Sequence, residues 1–309
     1  MFDLVIIGGG PGGVAAGVYA SRKQLKTLFV TRDWGGQSVV SSDIQNWIGT
    51  TSISGADLGK SLEMHLKAYA GDVVTIKENI LVEKIEKIDN GSMRFKVTLS
   101  NGETAESRAV LITTGSTRRT LDVPGALEFD QKGLTYCASC DGPMFSGQDV
   151  VVIGGGNAGF ESAAQLLAYA KSVTLLHRSS EFRADPVTVA RVLENPKMKA
   201  LTNATPTEVV GEKFVTAIKY KNAEGEIIEL PTSGIFVEIG LVPTTGYLGD
   251  IVELDDLKRV KIDPWTQQTS TPGIWAAGDC TNIKYHQNNI STGDAVRALE
   301  DIYVHLHTK

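Results

Sequence analysis

The sequence predicts an α/β fold in which one strand–glycine turn–helix–strand unit is used twice, each time followed by alternating strands. Residues 3–7 form a short β-branched run ending in Gly8-Gly9-Gly10-Pro11-Gly12-Gly13. A small-residue helical stretch from Val14 to Arg22 follows, and a second apolar run spans Thr27 to Val30. The same order returns with Asp149 to Ile153, Gly154-Gly155-Gly156-Asn157-Ala158-Gly159, a helix to about Lys171, and Val173 to Leu176. A single G-x-G-x-x-G turn is common. Two of them, each between a strand and a helix, specify two Rossmann-like units. Residues 81–89 and 93–99 alternate as a hairpin with Asn90-Gly91 as its turn, and 206–211, 213–220 and 226–230 form a second meander. Each unit is therefore expected as a three-layer ββα domain.

The remaining elements follow local signals. Ala295, Ala298, Leu299, Ile302 and Leu306 keep helical spacing, so the spacing predicts a last helix from Ser291 to about Leu306. Ser291 and Asp294 have the spacing of a capping box at its start. Pro124-Gly125 and the stretch from Pro243 to Gly249 are candidate linkers.

Composition narrows the function classes. With 309 residues, the chain is long enough for two domains, and 42% apolar residues argue against disorder. A net charge of −6 without a basic run argues against nucleic acid as the main partner. No apolar stretch approaches the roughly 20 residues of a membrane span, and the N-terminal run enters a strand without a leader pattern. Three cysteines are too few for a disulfide scaffold, so a cytoplasmic setting is expected, in which a close pair is catalytic or metal-binding.

The glycine turns point to two dinucleotides. Gly8 and Gly154 permit the sharp turn, Gly10 and Gly156 let a pyrophosphate approach the backbone, and Gly13 and Gly159 let helix pack on strand. The helix N-terminus then offers N–H donors to the phosphates. Two nucleotides in one chain imply an electron relay. In the second unit the strand ends Leu176-His177-Arg178-Ser179, with no carboxylate to take a ribose 2′-hydroxyl. Arg178 and Arg183 are placed to clamp a 2′-phosphate, which favours NADPH over NADH, although Glu181 lies between them. The first unit is expected to hold FAD. Its second strand ends at Val30-Thr31 without an acid, and Asp33 is a ribose candidate. A short strand near residues 271–278 delivers Asp279 at its end, where a carboxylate can accept hydrogen bonds from a ribityl chain.

Cys137 and Cys140, separated by Ala138-Ser139, can close and open a small disulfide. Short C-x-x-C loops have lowered thiol pKa values and make good nucleophiles. Asp141 follows immediately, placed to shuttle the proton of thiol–disulfide exchange, with a turn carboxylate as the plainer reading. A metal reading lacks a second pair at ligand spacing: only Cys280 and five scattered His remain. Cys280 reads as a small buried apolar residue.

These motifs carry a resemblance. Gly8–Gly13, Thr113-Thr114-Gly115, the segment from Cys137 to Gly142, Gly154–Gly159, His177 to Ala184 and Ala276 to Cys280 resemble, in order, the low-molecular-weight thioredoxin reductases. The segments 140–159 and 234–245 are also similar to the flavoprotein component of alkyl hydroperoxide reductase, whose extra N-terminal thioredoxin-like domain is not expected here. The resemblance implies an FAD domain over 1–114 and 245–309 with an NAD(P)H domain inserted at 115–244. It implies a homodimer, a rotation between the domains, and FAD contacts at Gly35, Gly36, Gln37, Asn46, Asp279, Gln287 and Asn288. It extends nucleotide contacts to Gly12, Thr114, Gly115, Asn157, Ala158 and His177. It also implies that Cys140 faces the flavin while Cys137 attacks the disulfide of thioredoxin or a glutaredoxin-like carrier. Two positions depart from the family pattern: Ser179 stands where Arg is usual, and His286 where Arg or Lys precedes Gln287. The sequence leaves alternatives open: NADH or ferredoxin as donor, a dithiol oxidase using oxygen, a thioredoxin-like module feeding a peroxiredoxin, and a non-enzymatic redox sensor.

Overall fold

The computed structural model describes residues 1–41, 43–89 and 93–308. In chain order, β1 (Phe2–Gly9), α1 (Pro11–Arg22), β2 (Thr27–Trp34), α2 (Gly55–Ala70) and β3 (Val74–Glu78) build the first nucleotide unit. Its meander follows as β4 (Val82–Asp89), β5 (Met93–Leu99) and β6 (Thr104–Ile112). A short strand, β7 (Ser116–Arg118), leads into β8 (Leu134–Thr135), α3 (Ala138–Asp141), β9 (Asp149–Ile153), α4 (Asn157–Leu166), β10 (Ser172–Leu176), α5 (Pro186–Leu193) and β11 (Met198–Leu201). Then come the meander β12 (Thr205–Gly211), β13 (Val215–Lys221), β14 (Ile227–Pro231), and β15 (Gly234–Val237). The chain returns through β16 (Leu241–Pro243) to β17 (Ile274–Ala276) and ends with α6 (Asn288–Thr308). Two compact units result: Met1–Thr117 with Val242–Lys309, and Arg118–Leu241.

The first unit is one seven-stranded sheet in the order β3-β2-β1-β6-β5-β4, with β17 also on β6. Strands β3, β2, β1, β6 and β17 are parallel, and β5 and β4 are antiparallel. β6 serves both parts: residues 104–107 pair with β5, and residues 110–112 pair with β17. The apolar run in β1 is continuous because both of its faces are buried. Leu4 and Ile6 join the core under α1, α2 and α6 with Leu66, Leu299 and Ile302. Val5 and Ile7 join the core on the meander side with Ile85, Phe95 and Val97. Small residues in α1 allow close helix contact: a Cβ on Gly17 would come within 2.8 Å of Leu66.

The second unit repeats this plan. Its parallel sheet runs β11-β10-β9-β15-β8, and β12-β13-β14 form a separate antiparallel sheet. Val150 and Val152 of β9 face α4 with Phe160 and Leu166, while Val151 and Ile153 face the meander with Ile218 and Val215. β15 occupies the place beside β9 that β6 holds beside β1, and β8 lies beyond β15 as β17 lies beyond β6.

Several boundaries differ from the sequence expectations. α1 begins at Pro11, since proline is favoured in the first helical turn and needs no N–H there. α4 ends at Leu166, and the Tyr169 and Ala170 N–H groups both close on the Leu166 carbonyl instead of extending the helix to Lys171. α6 begins three residues before the expected Ser291, so the capping box with Asp294 does not form. Ser291 lies inside the helix and donates to Asp279 Oδ1 at 3.3 Å, and Asp294 pairs with Arg297. Pro124-Gly125 is no linker: the Pro124 carbonyl accepts from Val209 N–H, and Gly125, at φ +80°, packs against the Val209 backbone. α2, capped by Ser54 on Asp57 N–H, and α5, capped by Asp185 on Thr188 N–H, are additions to the expected elements. The turn expected at Asn90-Gly91 lies outside the described residues. No helix among the described residues is long and apolar enough to cross a membrane.

Candidate functional site

In the second unit, Gly154 leaves β9 at φ +128°, a conformation that side chains disfavour. A Cβ on Gly159, in the first turn of α4, would overlap the Gly154 carbonyl oxygen. That contact is why helix and strand lie so close. Gly156 is different: it is extended, at φ −95° and ψ −178°, and a Cβ there would meet nothing within 4 Å. An open cradle thus lies over the helix N-terminus, with Asn157 and Ala158 exposed beside it. Asn157 Oδ1 accepts the Asp185 N–H at 2.8 Å and ties the start of α5 to this turn.

The middle glycine also has a role, one that sequence reasoning left unassigned. A Cβ on Gly155 would run into the His177 ring at 2.5 Å from Cγ. His177 is buried, accepts the Gly155 N–H on Nδ1 at 3.2 Å, and places Nε2 2.8 Å from the Glu181 carbonyl. With Nδ1 accepting from Gly155, Nε2 is the nitrogen that donates to the Glu181 carbonyl. His177 therefore shapes the loop from beneath. Arg183 N–H bonds to the Gly155 carbonyl at 2.8 Å, which fixes Arg183 at the loop, and both Arg178 and Arg183 are exposed.

The redox pair lies in the same unit. Cys137 and Cys140 form a disulfide with Cα atoms 5.3 Å apart. Cys140 N–H points at Cys137 Sγ at 3.2 Å, a contact that favours a thiolate on Cys137 when the bond is open. Asp141 accepts the Thr135 hydroxyl, and that hydroxyl in turn accepts the Cys137 N–H at 3.4 Å. Thr135, missed by the motif reading, connects the acid to the cysteine. Ser139 Oγ donates to Gln165 on α4 at 2.7 Å and anchors the loop.

The end of β15 contributes Glu238, also unmarked by any motif. Ser162 Oγ donates to its Oε1 at 2.6 Å. Burial pushes the carboxyl up to about 7, while Ser162 and Arg118 act in the opposite direction.

In the first unit the glycine turn has the same geometry. Gly8 has φ +119°, a Cβ on Gly13 would overlap the Gly8 carbonyl, and Gly12 packs on the Ser291 backbone of α6. Gly35 and Gly36, both at positive φ, bring a second turn against Gly10, and Gly35 N–H bonds to the Gly9 carbonyl at 2.9 Å. Next to Gln37, Ser38 Oγ donates to Asn288 Oδ1 at 3.0 Å; Asn46 donates to Gln287 at 3.2 Å. The structure thus brings Ser38 and Asn46 together with Asn288 and Gln287. Thr114 Oγ1 bonds to the Thr244 carbonyl at 2.8 Å, and Gly115, at φ +62°, faces open space. β2 continues to Trp34, so Asp33 lies inside the strand rather than beyond it, and it pairs with Arg32 at 2.8 Å. Cys280 is fully buried, and burial pushes its thiol up to about 12, which suits a packing role.

These residues fit a dinucleotide in each unit. Two glycine cradles are open where a phosphate backbone approaches, and His286 Nε2 is buried without a partner among the described residues. Two Rossmann-type units and a C-x-x-C disulfide define a nucleotide-dependent disulfide oxidoreductase. The chain belongs to the pyridine nucleotide-disulphide oxidoreductase family, whose model matches residues 2–293. Membership implies a flavin and a nicotinamide nucleotide as cofactors. The fold is shared with thioredoxin reductase from Streptococcus pyogenes, with a TM-score of 0.89 and 31% identity over 100% of this chain and 99% of that one. The chain is 39% identical to "NADH dehydrogenase" of Bacillus subtilis (strain 168), over 96% of this chain and 57% of that protein. It is 41% identical to an alkyl hydroperoxide reductase component of Staphylococcus aureus (strain NCTC 8325 / PS 47), over the same shares. The chain thus spans little more than half the length of the curated relatives it matches.

Proposed function

We propose that the chain carries electrons from NADPH through FAD to Cys137–Cys140 and on to thioredoxin or a glutaredoxin-like protein disulfide, as a cytoplasmic homodimer. The observation that carries this reading is the Cys137–Cys140 disulfide, with a backbone donor on Cys137 Sγ and the Thr135–Asp141 pair beside it. FAD is assigned to the cradle of Gly8, Gly10, Gly12, Gly13, Gly35, Gly36 and Gln37, with Asn46, Thr114, Gly115, Asp279, Gln287 and Asn288 along it. NADPH is assigned to Gly154, Gly156, Asn157 and Ala158, with Arg178 and Arg183 exposed for a 2′-phosphate and His177 holding the loop. Bound flavin supplies the two-electron chemistry that links a hydride donor to a disulfide.

The protein's residues then act in sequence. Two electrons and two protons open the Cys137–Cys140 bond to two thiols. Cys137, as the thiolate, attacks one sulfur of the partner's disulfide, and the partner's other sulfur leaves and takes up a proton. Cys140 attacks Cys137 Sγ, which re-forms the internal bond and releases the partner as a dithiol. Asp141 handles the proton, oriented by Thr135.

The 41% identity to the alkyl hydroperoxide reductase component, over 57% of that protein, supports a second reading. In that reading the same dithiol feeds a separate thioredoxin-like module that serves a peroxiredoxin, with NADH as donor. Anaerobic mixing of the FAD-loaded protein with NADPH and, separately, NADH distinguishes the two by loss of oxidised flavin absorbance. Fast bleaching by NADPH, reversed by oxidised thioredoxin, is the expected result. Bleaching by NADH alone supports the second reading. If neither nucleotide bleaches a flavin that chemical reductant can bleach, the nicotinamide assignment fails.

A further inference from the structure

The carboxyl end of β15 carries a group that the electron relay does not use. In the second unit β10 and β15 lie on opposite sides of β9. The chain leaves β9 through Gly154–Gly156 toward β10, so the crevice between β9 and β15 is the switch point of the sheet, where open α/β sheets take their ligands. A dinucleotide with its adenosine half at the end of β10 and its pyrophosphate on the glycine turn must extend its other half past β15. Glu238 is the first residue beyond that strand, and its backbone carbonyl abuts Gly154.

The Glu238 side chain is held rather than neutralised. Ser162 on α4 donates to Oε1 at 2.6 Å, and Oε2 has no hydrogen-bond partner among the described residues. The charged groups that act on it are Arg118, which favours the ionised form, and Glu161 on α4, which opposes it. An acid fixed on one oxygen and open on the other stands where the second half of the nucleotide is to pass.

We propose that Glu238 is a specificity-determining residue that favours the oxidised, cationic nicotinamide ring over the neutral, reduced one. The inference rests on the reading of the second unit as the pyridine nucleotide domain. Its physical basis is that the two ring forms differ by one positive charge, and a half-buried carboxylate beside the ring distinguishes them. The discrimination is lost when the carboxyl is protonated, and burial brings that change close to neutral pH.

The test is calorimetric binding of NADP⁺, and of a neutral tetrahydronicotinamide analogue that cannot donate hydride, to the FAD-loaded protein at pH 6 and pH 8. The ratio of the two affinities is expected to move roughly tenfold toward NADP⁺ between these pH values. In Glu238→Gln the ratio should stay constant. Ser162→Ala, which removes the bond favouring ionisation, should move the midpoint of the wild-type change to higher pH and leave its size intact. A constant ratio in the wild type, or the same change in Glu238→Gln, overturns the proposal while leaving the nucleotide site in place. Failure of the wild type to bind either compound overturns the domain reading and the proposal with it.

Discussion

Two glycines three residues apart should respond to the same substitution in opposite ways. Gly156 is extended, and a methyl group there meets nothing within 4 Å. Gly156→Ala therefore introduces no strain and removes freedom from the unfolded chain, which stabilises the second unit by about 0.4–1 kcal/mol. The methyl does, however, fill the cradle assigned to the pyrophosphate. Nucleotide affinity should fall about ten- to hundredfold, or ~1.4–2.7 kcal/mol. Gly159→Ala presses its methyl onto the Gly154 carbonyl, so α4 must move off β9, at about 1–3 kcal/mol. The assay is hydrogen exchange of β9 and α4 amides combined with nucleotide titration. Tryptophan fluorescence serves as an internal control, because Trp34, Trp47, Trp265 and Trp275 all lie in the first unit. Tight nucleotide binding by Gly156→Ala would refute the assignment of this cradle to a phosphate. Unchanged protection in Gly159→Ala would refute the contact-limited packing of helix on strand.

Other outcomes follow from the same geometry. Cys140→Ser should leave anaerobic flavin bleaching intact, abolish turnover with a protein disulfide, and leave Cys137 trapped in a mixed disulfide visible on a non-reducing gel. Arg178→Ala and Arg183→Ala should each raise the KM for NADPH about tenfold, or ~1.4 kcal/mol, without affecting NADH. Both effects should shrink as salt is raised, because the two side chains are exposed. Glu238 has a pH signature of its own: burial raises its carboxyl from 4.5 to about 7. Between these values the folded state holds the proton and the unfolded state does not, so stability falls as pH rises through the window. The loss is at most about 3 kcal/mol and is complete above pH 7. Denaturant unfolding at pH 5 and pH 8 should show this slope in the wild type and a flatter one in Glu238→Gln.

What the sequence revealed depended on whether the controlling contacts were local. β1, β9 and the glycine turns were legible because a strand buried on both faces reads as an unbroken apolar run, and the turn needs glycine at fixed offsets. Ser291 misled for the same reason. Its spacing to Asp294 fits a cap, but its hydroxyl turns to Asp279, 12 residues away in sequence. Pro124-Gly125 looked like a linker because nothing local shows Val209 packed upon it. Among the candidate site residues, Cys137 and Cys140 announced themselves by spacing. Thr135 and Glu238 did not, because an ordinary Thr and Glu acquire their roles only when Asp141 and Ser162 are folded against them. Gly155 was hidden in another way: its constraint comes from the ring of His177, at the end of the next strand.

The two units share a plan but differ in how one strand is drawn. In the first, β6 runs unbroken from the meander into the parallel sheet, so both belong to a single hydrogen-bonded body. In the second, Thr232-Ser233 interrupts the corresponding path between β14 and β15, and the buried Thr232 hydroxyl bonds to the Asp149 and Gly234 carbonyls at the break. The second meander is thus a patch sewn on at Thr232: none of its strands continues into the parallel sheet, and its hold on the strand that leads to Glu238 is the packing of Val215 and Ile218 against Ile235 and Val237.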